Sequence, residues 1–280
     1  MKTTIYDSKN IPLQTGEADI VRSCVLQKGH KVLQTSKRRG EGANRNAFTL
    51  AEVLITLGVI GVVAAMTLPT LIQNYKKHVV ETRLARFYTT INQAIQMSQT
   101  VNGDKRDWDI LGKSFLKDEN GDYDYSKPEA MIWFEKYLQP YLKYSKVEVS
   151  RKGGMGMVKV YFEDGSLLHF NAAGWEFYPN AKDFKTETNE NGTIIVDNNF
   201  LGNKYFAFFF APTSTNKYHY NKGVEPYMHG WDGTIDGTSG LKTCQYFGCK
   251  KEKPLNGRAY CTALIMLNGW KIPKDYPLKF

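Results

Sequence analysis

The stretch AFTLAEVLITLGVIGVVAAMTLPTLI, residues 47–72, decides how the rest of the chain is read. Residues 53–72 within it carry no charge. At about 1.5 Å per residue, a helix of these twenty residues is roughly 30 Å long, the thickness of a bilayer's hydrocarbon core. The buried helix of a soluble domain shows a polar face, and this segment shows none.

Working upstream, residues 1–47 lack a sustained hydrophobic period. They hold nine Lys or Arg against four Asp or Glu, so +5 of the chain's formal net charge of +9 lies there. The basic run Lys37-Arg38-Arg39 to Arg45 directly precedes the apolar segment, where a cytoplasmic flank belongs. A solvated basic tail is the plainer reading of the same residues. The remaining 233 residues carry +4, a modest excess that gives no call for nucleic acid as a partner.

Downstream, the helical pattern continues past Ile72 and becomes amphipathic. Val80, Leu84, Phe87, Ile91, Ala94, Ile95 and Ser98 recur at steps of three and four, with Lys76, Lys77, Glu81, Arg83, Arg86, Asn92, Gln93 and Gln96 on other faces. The expectation is one long helix over residues 48–101, spanning a membrane at about 53–72, with Asn102-Gly103-Asp104 as its stop. Residues 102–280 then form a globular head. Its signals are a short helix over 129–142 broken at Pro140, and a hairpin turning at Glu163-Asp164-Gly165 between two apolar runs. Strands are expected at 193–196 and 205–211, and a short helix over 257–267 ended by Asn268-Gly269. Residues 104–128 and 212–240 read as loops. The fold class is α+β: a long N-terminal helix, part anchor and part amphipathic, packed on a small antiparallel sheet.

Glu52 is the residue that this pattern has to explain. A carboxylate at the mouth of an apolar run is costly unless it is paired or lies near the interface. No basic residue follows it for 23 positions. Cleavage after Ala47 would create a cationic amine on Phe48, four residues away, and the carboxylate would pair with its own or a neighbour's terminus. The plainer alternative is an unpaired Glu at the water boundary. Pro69 removes one helical hydrogen bond, and Gly58 and Gly61 lower helix propensity. Together the three mark a segment able to bend or unwind, although Gly and Pro are also common in membrane helices.

A basic leader, a small residue, and then Phe48-Thr49-Leu50-Ala51-Glu52 running through the apolar stretch to Pro69 resembles the N-terminal segment of type IV prepilins and type II secretion pseudopilins. The likeness covers about residues 45–75, with a looser one over 261–277. The resemblance implies cleavage between Ala47 and Phe48 and N-methylation of Phe48 by a prepilin peptidase. It implies assembly into a homo- or hetero-polymer through Glu52, on an inner-membrane platform, as a pseudopilin or minor pilin of a secretion or pilus filament. It also implies a single pass through the bacterial inner membrane, with the head periplasmic or extracellular. The family usually has glycine before the cut, and Ala47 is the small residue here. The 47-residue leader is long, and a start near Val25 or Val32 would shorten it.

Four cysteines are present. With Cys24 in the leader, Cys244, Cys249 and Cys261 leave one disulfide and one free thiol in an exported head. Cys244–Cys261 is the expected pair, with Cys249 as the alternative partner. Asp232 and Asp236, in Asp232-Gly233-Thr234-Ile235-Asp236-Gly237, have the oxygen chemistry for calcium but not the order of a known calcium loop, so a turn is the better reading. No other cofactor is expected. No Gly-x-Ser-x-Gly, His-Glu-x-x-His or phosphate loop occurs, so catalysis is not expected. The competing reading is a secreted periplasmic binding protein or enzyme whose residues 53–65 are an ordinary signal with a Val63-Ala64-Ala65 cut. The helical pattern beyond Ala65 and the position of Glu52 weigh against it.

Overall fold

The computed structural model describes residues 49–152, 154–172, 174–185, 187–188, 194–195 and 200–280. The chain divides between Leu54 and Ile55. Helix α1 spans Leu50–Asn102 and passes through Pro69. Its stop is where the sequence puts it: Gly103 takes φ 74° and donates its N–H to the carbonyl of Gln99 at 3.1 Å.

The buried residues of α1 are Val80, Leu84, Phe87, Ile91, Ala94, Ile95 and Ser98, the same stripe read from the period. They pack on a sheet built from β3 (Lys146–Lys152), β4 (Met155–Tyr161), β5 (Leu167–Asn171), β6 (Gly174–Tyr178), β9 (Phe206–Phe210) and β10 (Val224–Pro226). A small antiparallel pair, β1 (Phe115–Lys117) and β2 (Tyr123–Pro128), leads into α2 (Glu129–Tyr137). Two short strands, β7 (Glu187–Thr188) and β8 (Ile194–Ile195), extend the sheet beyond β3, and α3 (Cys261–Leu267) lies near the C-terminus. The spatial order is β10-β9-β6-β5-β4-β3-β8-β7, antiparallel throughout except for the β3–β8 bridge between Lys152 and Ile194.

Register explains the core. Val158, Phe170, Trp175 and Phe208 are successive cross-strand partners, and so are Val160, Leu168, Phe177 and Phe206. Side chains alternate between faces, so both rows fall on the face that receives α1 and α2. Phe87 of α1 stacks on Phe177 at 4.2 Å and meets Phe208 edge-on at 5.0 Å. From α2, Trp133 and Phe134 are buried in the same cluster.

The other face is apolar at one end and polar in the middle. Leu167, Tyr178, Leu201, Tyr205 and Ala259 form a separate buried cluster. Beside it, Lys159, His169 and Glu176 are cross-strand neighbours. Phe206 and Phe208 point to one face of β9, while Phe209 packs against His219 at 5.3 Å on the other. This is why residues 205–211 are apolar on both sides.

The loop readings need two corrections. Residues 104–128 contain the β1–β2 pair, and 212–240 contain β10. None of the three strands shows a strong apolar alternation: β10 has three residues ending in a proline, which an edge strand tolerates.

Candidate functional site

The described anchor begins with a reciprocal cap. The backbone N–H of Thr49 donates to Glu52 Oε2 at 2.8 Å, and the Thr49 hydroxyl donates to the same oxygen at 3.0 Å. In return the Glu52 N–H donates to Thr49 Oγ1 at 3.2 Å. This is a capping box, with threonine before the first turn and glutamate three residues on. The sequence signal for it is Thr49-x-x-Glu52 ahead of an apolar run. Ala47 and Phe48, the expected cleavage pair, lie outside the described residues.

Beyond the cap, the apolar helix is uncovered. Leu54, Ile55, Leu57, Val59, Ile60, Val62, Val63, Leu68, Leu71 and Ile72 are all exposed, and none of the most apolar eighteen-residue stretch is buried. Gly58 and Gly61 are open, with nothing within 4 Å of where a Cβ would stand. Pro69 sits inside the helix, and Thr67, two residues before it, donates its hydroxyl to the Val63 carbonyl at 2.9 Å. A threonine back-bonded in this way often accompanies helix bending, so Thr67 adds to the three positions read from sequence.

Past Tyr75, polar side chains tie α1 to the head at four heights. Glu81 accepts the Ile272 N–H at 2.9 Å and the Lys271 ammonium at 2.9 Å. Arg83 donates to the carbonyls of Pro179 and Asp164. The Tyr88 hydroxyl donates to the Glu225 carboxylate at 3.1 Å, and burial raises both groups above their ordinary pKa values, Tyr88 to about 12. Asn92 engages both backbone groups of Val224: its Nδ2 donates to the carbonyl at 2.9 Å, and its Oδ1 accepts the N–H at 2.9 Å. None of these partners was legible from the sequence, because each lies more than 80 residues away.

The cysteines pair differently from the first expectation. Cys249 bonds to Cys261, with Cα atoms 4.7 Å apart, and Cys244 is a free, buried thiol. The chain turns back between them: Asn256 donates its N–H to the Tyr246 carbonyl at 2.9 Å and Tyr260 to the Phe247 carbonyl at 3.0 Å, which brings Cys249 beside the start of α3. Cys244 sits in the same small core, among Met228, Leu241, Tyr260 and Leu264.

Asp232 organises a loop. Its Oδ1 accepts from the Thr234 N–H at 2.9 Å and the Thr234 hydroxyl at 2.7 Å, and its Oδ2 accepts from the Ser239 N–H at 2.8 Å. Asp236 is exposed. Among the described residues no group of three or more His, Cys, Asp or Glu side chains comes together as a metal site.

One arrangement has the connectivity of a hydrolase triad. Ser150 Oγ lies 2.7 Å from His169 Nε2, and His169 Nδ1 lies 3.0 Å from Glu176 Oε2. His169 has no exposed surface, Ser150 is buried, and Phe184 packs edge-on against the imidazole at 4.9 Å. Burial pulls the His169 pKa down and outweighs the Glu176 hydrogen bond. For Glu176 burial pushes upward, but the His169 bond and the Lys152 charge prevail and hold it low. A substrate has no route to a nucleophile enclosed in this way, and the row joins β3, β5 and β6 as a buried polar strut.

Two family profiles match the chain. A family of unknown function, DUF6613, covers residues 70–280, and the prokaryotic N-terminal methylation motif covers residues 42–68. The boundary between the two falls at Pro69. No curated protein and no solved structure matches.

Proposed function

The chain belongs to DUF6613, a family of unknown function, and carries a prokaryotic N-terminal methylation motif; from that premise we propose that it is a prepilin-type filament subunit, a pseudopilin or minor pilin, matured by cleavage between Ala47 and Phe48. It is a pilin-like, membrane-anchored, single-pass protein. The observation that carries the proposal is the continuity of α1: a capped, uncovered apolar helix runs on as the helix whose stripe is the head's core. Such a subunit crosses the bilayer before assembly and offers the same apolar surface to neighbours afterwards. Helical structure through Ala65 weighs against a signal-peptide cut there.

In this reading a prepilin peptidase removes the leader and methylates Phe48. The head then lies outside the cytoplasm, and subunits meet through the helix on an inner-membrane platform. Glu52 has two roles. Within the subunit it closes the capping box, and between subunits its charge pairs with the new amine on Phe48. Gly58, Gly61 and Pro69 let the segment bend or unwind where neighbours cover it.

Substitution separates the two roles. Glutamine serves in a capping box as glutamate does, so Glu52→Gln keeps the helix cap and removes the charge. Thr49→Ala weakens the cap and keeps the charge. The proposal expects a mature N-terminus at methylated Phe48 by mass spectrometry. It also expects Glu52→Gln to insert in the membrane normally but fail to enter filaments, while Thr49→Ala still assembles. A mature N-terminus at Met66 would refute the proposal outright. Normal assembly of Glu52→Gln would remove the charge-pair role.

A further inference from the structure

We infer that the cleft beside the first turns of α1 beyond the membrane span is a binding site for the phosphate headgroup of an anionic phospholipid; the inference rests on the anchor reading of residues 53–72. The cleft encloses about 350 Å³ and is lined on one side by Tyr75, Lys76, Val79, Val80 and Arg83. These positions, after Tyr75, follow the three-and-four spacing of a single helix face. The opposite wall comes from three separated segments, which bring Pro179, Asp183, Lys204 and Lys279 to the same space.

Charge decides the ligand's sign. Four basic side chains line the cleft, Lys76, Arg83, Lys204 and Lys279, against one acidic side chain, Asp183. Among the described residues none of the four forms an ion pair. Arg83 is bound to two backbone carbonyls, which fix its guanidinium without neutralising it. Lys204 lies over the Phe200 ring at 4.1 Å, which holds its stem but leaves its charge.

Position along the helix decides the source. Tyr75 is three residues past Ile72, about 4.5 Å along the axis, and Lys76 about 6 Å. A bilayer's headgroup layer extends roughly 5–7 Å beyond each side of its hydrocarbon core. The open end of the cleft therefore lies at headgroup depth, with an exposed tyrosine of the kind that marks membrane interfaces. A lipid placed there runs its acyl chains along the uncovered face of residues 53–72 and its phosphate into the lysines. A soluble anion would have the same charge complement but no such alignment.

The test uses the full chain in nanodiscs of phosphatidylcholine alone or with phosphatidylglycerol. Lysine acetylation by a soluble reagent is read by mass spectrometry. The expected result is that phosphatidylglycerol slows labelling of Lys76, Lys204 and Lys279 about tenfold, and leaves the exposed Lys251 and Lys253 unchanged. Native mass spectrometry should show a phosphatidylglycerol retained over phosphatidylcholine. Lys204→Gln/Lys279→Gln should weaken that retention by about 25-fold, at about fivefold per lysine near a membrane surface. Equal labelling in both lipids overturns the inference, and this readout needs no variant to fold. Equal slowing by free glycerol phosphate in phosphatidylcholine discs overturns the lipid assignment. Alkaline extraction of the chain from membranes would overturn the anchor reading, and the inference with it.

Discussion

Removing the Asn92 amide should detach the edge of the sheet from α1. Val224 is fully buried, and its N–H and C=O face Asn92 at 2.9 Å each. It belongs to β10, which among the described strands pairs only with β9. Asn92→Ala leaves both backbone groups buried without a partner. Each such group costs about 1–3 kcal/mol. Alanine's better helix propensity returns about 0.7 kcal/mol. The net expectation is a loss of about 1–5 kcal/mol. Asn92→Asp keeps the acceptor for the N–H but sets a carboxylate against the Val224 carbonyl, so it should lose at least as much. Denaturant unfolding of the full chain in detergent micelles, followed by tryptophan fluorescence, measures this. Trp270 is a suitable reporter because it packs on Tyr88 at 5.0 Å. Amide exchange at Val224 should accelerate in Asn92→Ala before global unfolding does. A loss under about 0.5 kcal/mol with an unchanged denaturant slope would refute the reasoning, because the amide would then be replaceable by water.

Three further outcomes follow from the same structure. A Cβ on Gly223 would stand 1.8 Å from Asn92 Oδ1, so Gly223→Ala should displace that amide and cost about as much as Asn92→Ala. In the Asn92→Ala background Gly223→Ala should cost little, and a double-mutant cycle showing additivity would contradict the shared contact. His219 is buried and its pKa is pulled down to about 4 from an ordinary 6.5, first by burial and then by His229. The unfolded chain therefore binds more protons below pH 6.5. Stability should fall from that pH downward, by on the order of 2–3 kcal/mol at pH 4 from this residue. His169 and Glu176 act in the same direction and Glu225 in the opposite one. His219→Gln should flatten the profile between pH 6.5 and 4 in pH-dependent unfolding, and an unchanged profile would count against the assignment. Peptide mapping should find Cys249 linked to Cys261, with Cys244 alkylated only after denaturation. Breaking the link with Cys249→Ala should cost about 3 kcal/mol, the scale for a loop of this length. A Cys244–Cys261 peptide would overturn the pairing.

What the sequence revealed and what it concealed divide along contact range. The α1 stripe from Val80 to Ser98 was legible because a helix face depends only on local spacing. The β4–β5 hairpin was legible because its turn is local: Gly165 takes φ 79°, and Phe162 accepts its N–H at 3.0 Å. Strand β3 was not, because Lys146-Val147-Glu148-Val149 alternates charge with valine, and the charges make sense only beside β4. There Glu148 is the cross-strand partner of Lys159 and accepts a hydrogen bond from Tyr161 at 3.0 Å. Strand β6 starts at a glycine and carries Glu176, whose place is set by His169 and Lys152. The disulfide was missed for the same reason, since sequence spacing says nothing of where the 241–249 loop returns. Of the candidate site, Glu52 and the apolar segment were legible. The clamps that tie the helix to the head were not.

Those clamps matter because an apolar stripe alone fixes a helix's rotation better than its height. A slip of one turn, about 5.4 Å, carries Leu84 toward the place of Val80 and Ile91 toward that of Phe87, exchanging one apolar contact for another. Glu81, Arg83, Tyr88 and Asn92 oppose the slip, since the backbone groups of Ile272, Pro179, Asp164 and Val224 and the Glu225 carboxylate that they bind stand at fixed heights. They span twelve residues, about 16 Å of helix. In the filament proposed above, load passing from the anchor to the head would cross this seat. The apolar stripe supplies the adhesion, and the four polar contacts set the distance between anchor and head. In the proposed polymer, subunits with the same four contacts would present their heads at one height above the anchor, as a regular assembly requires.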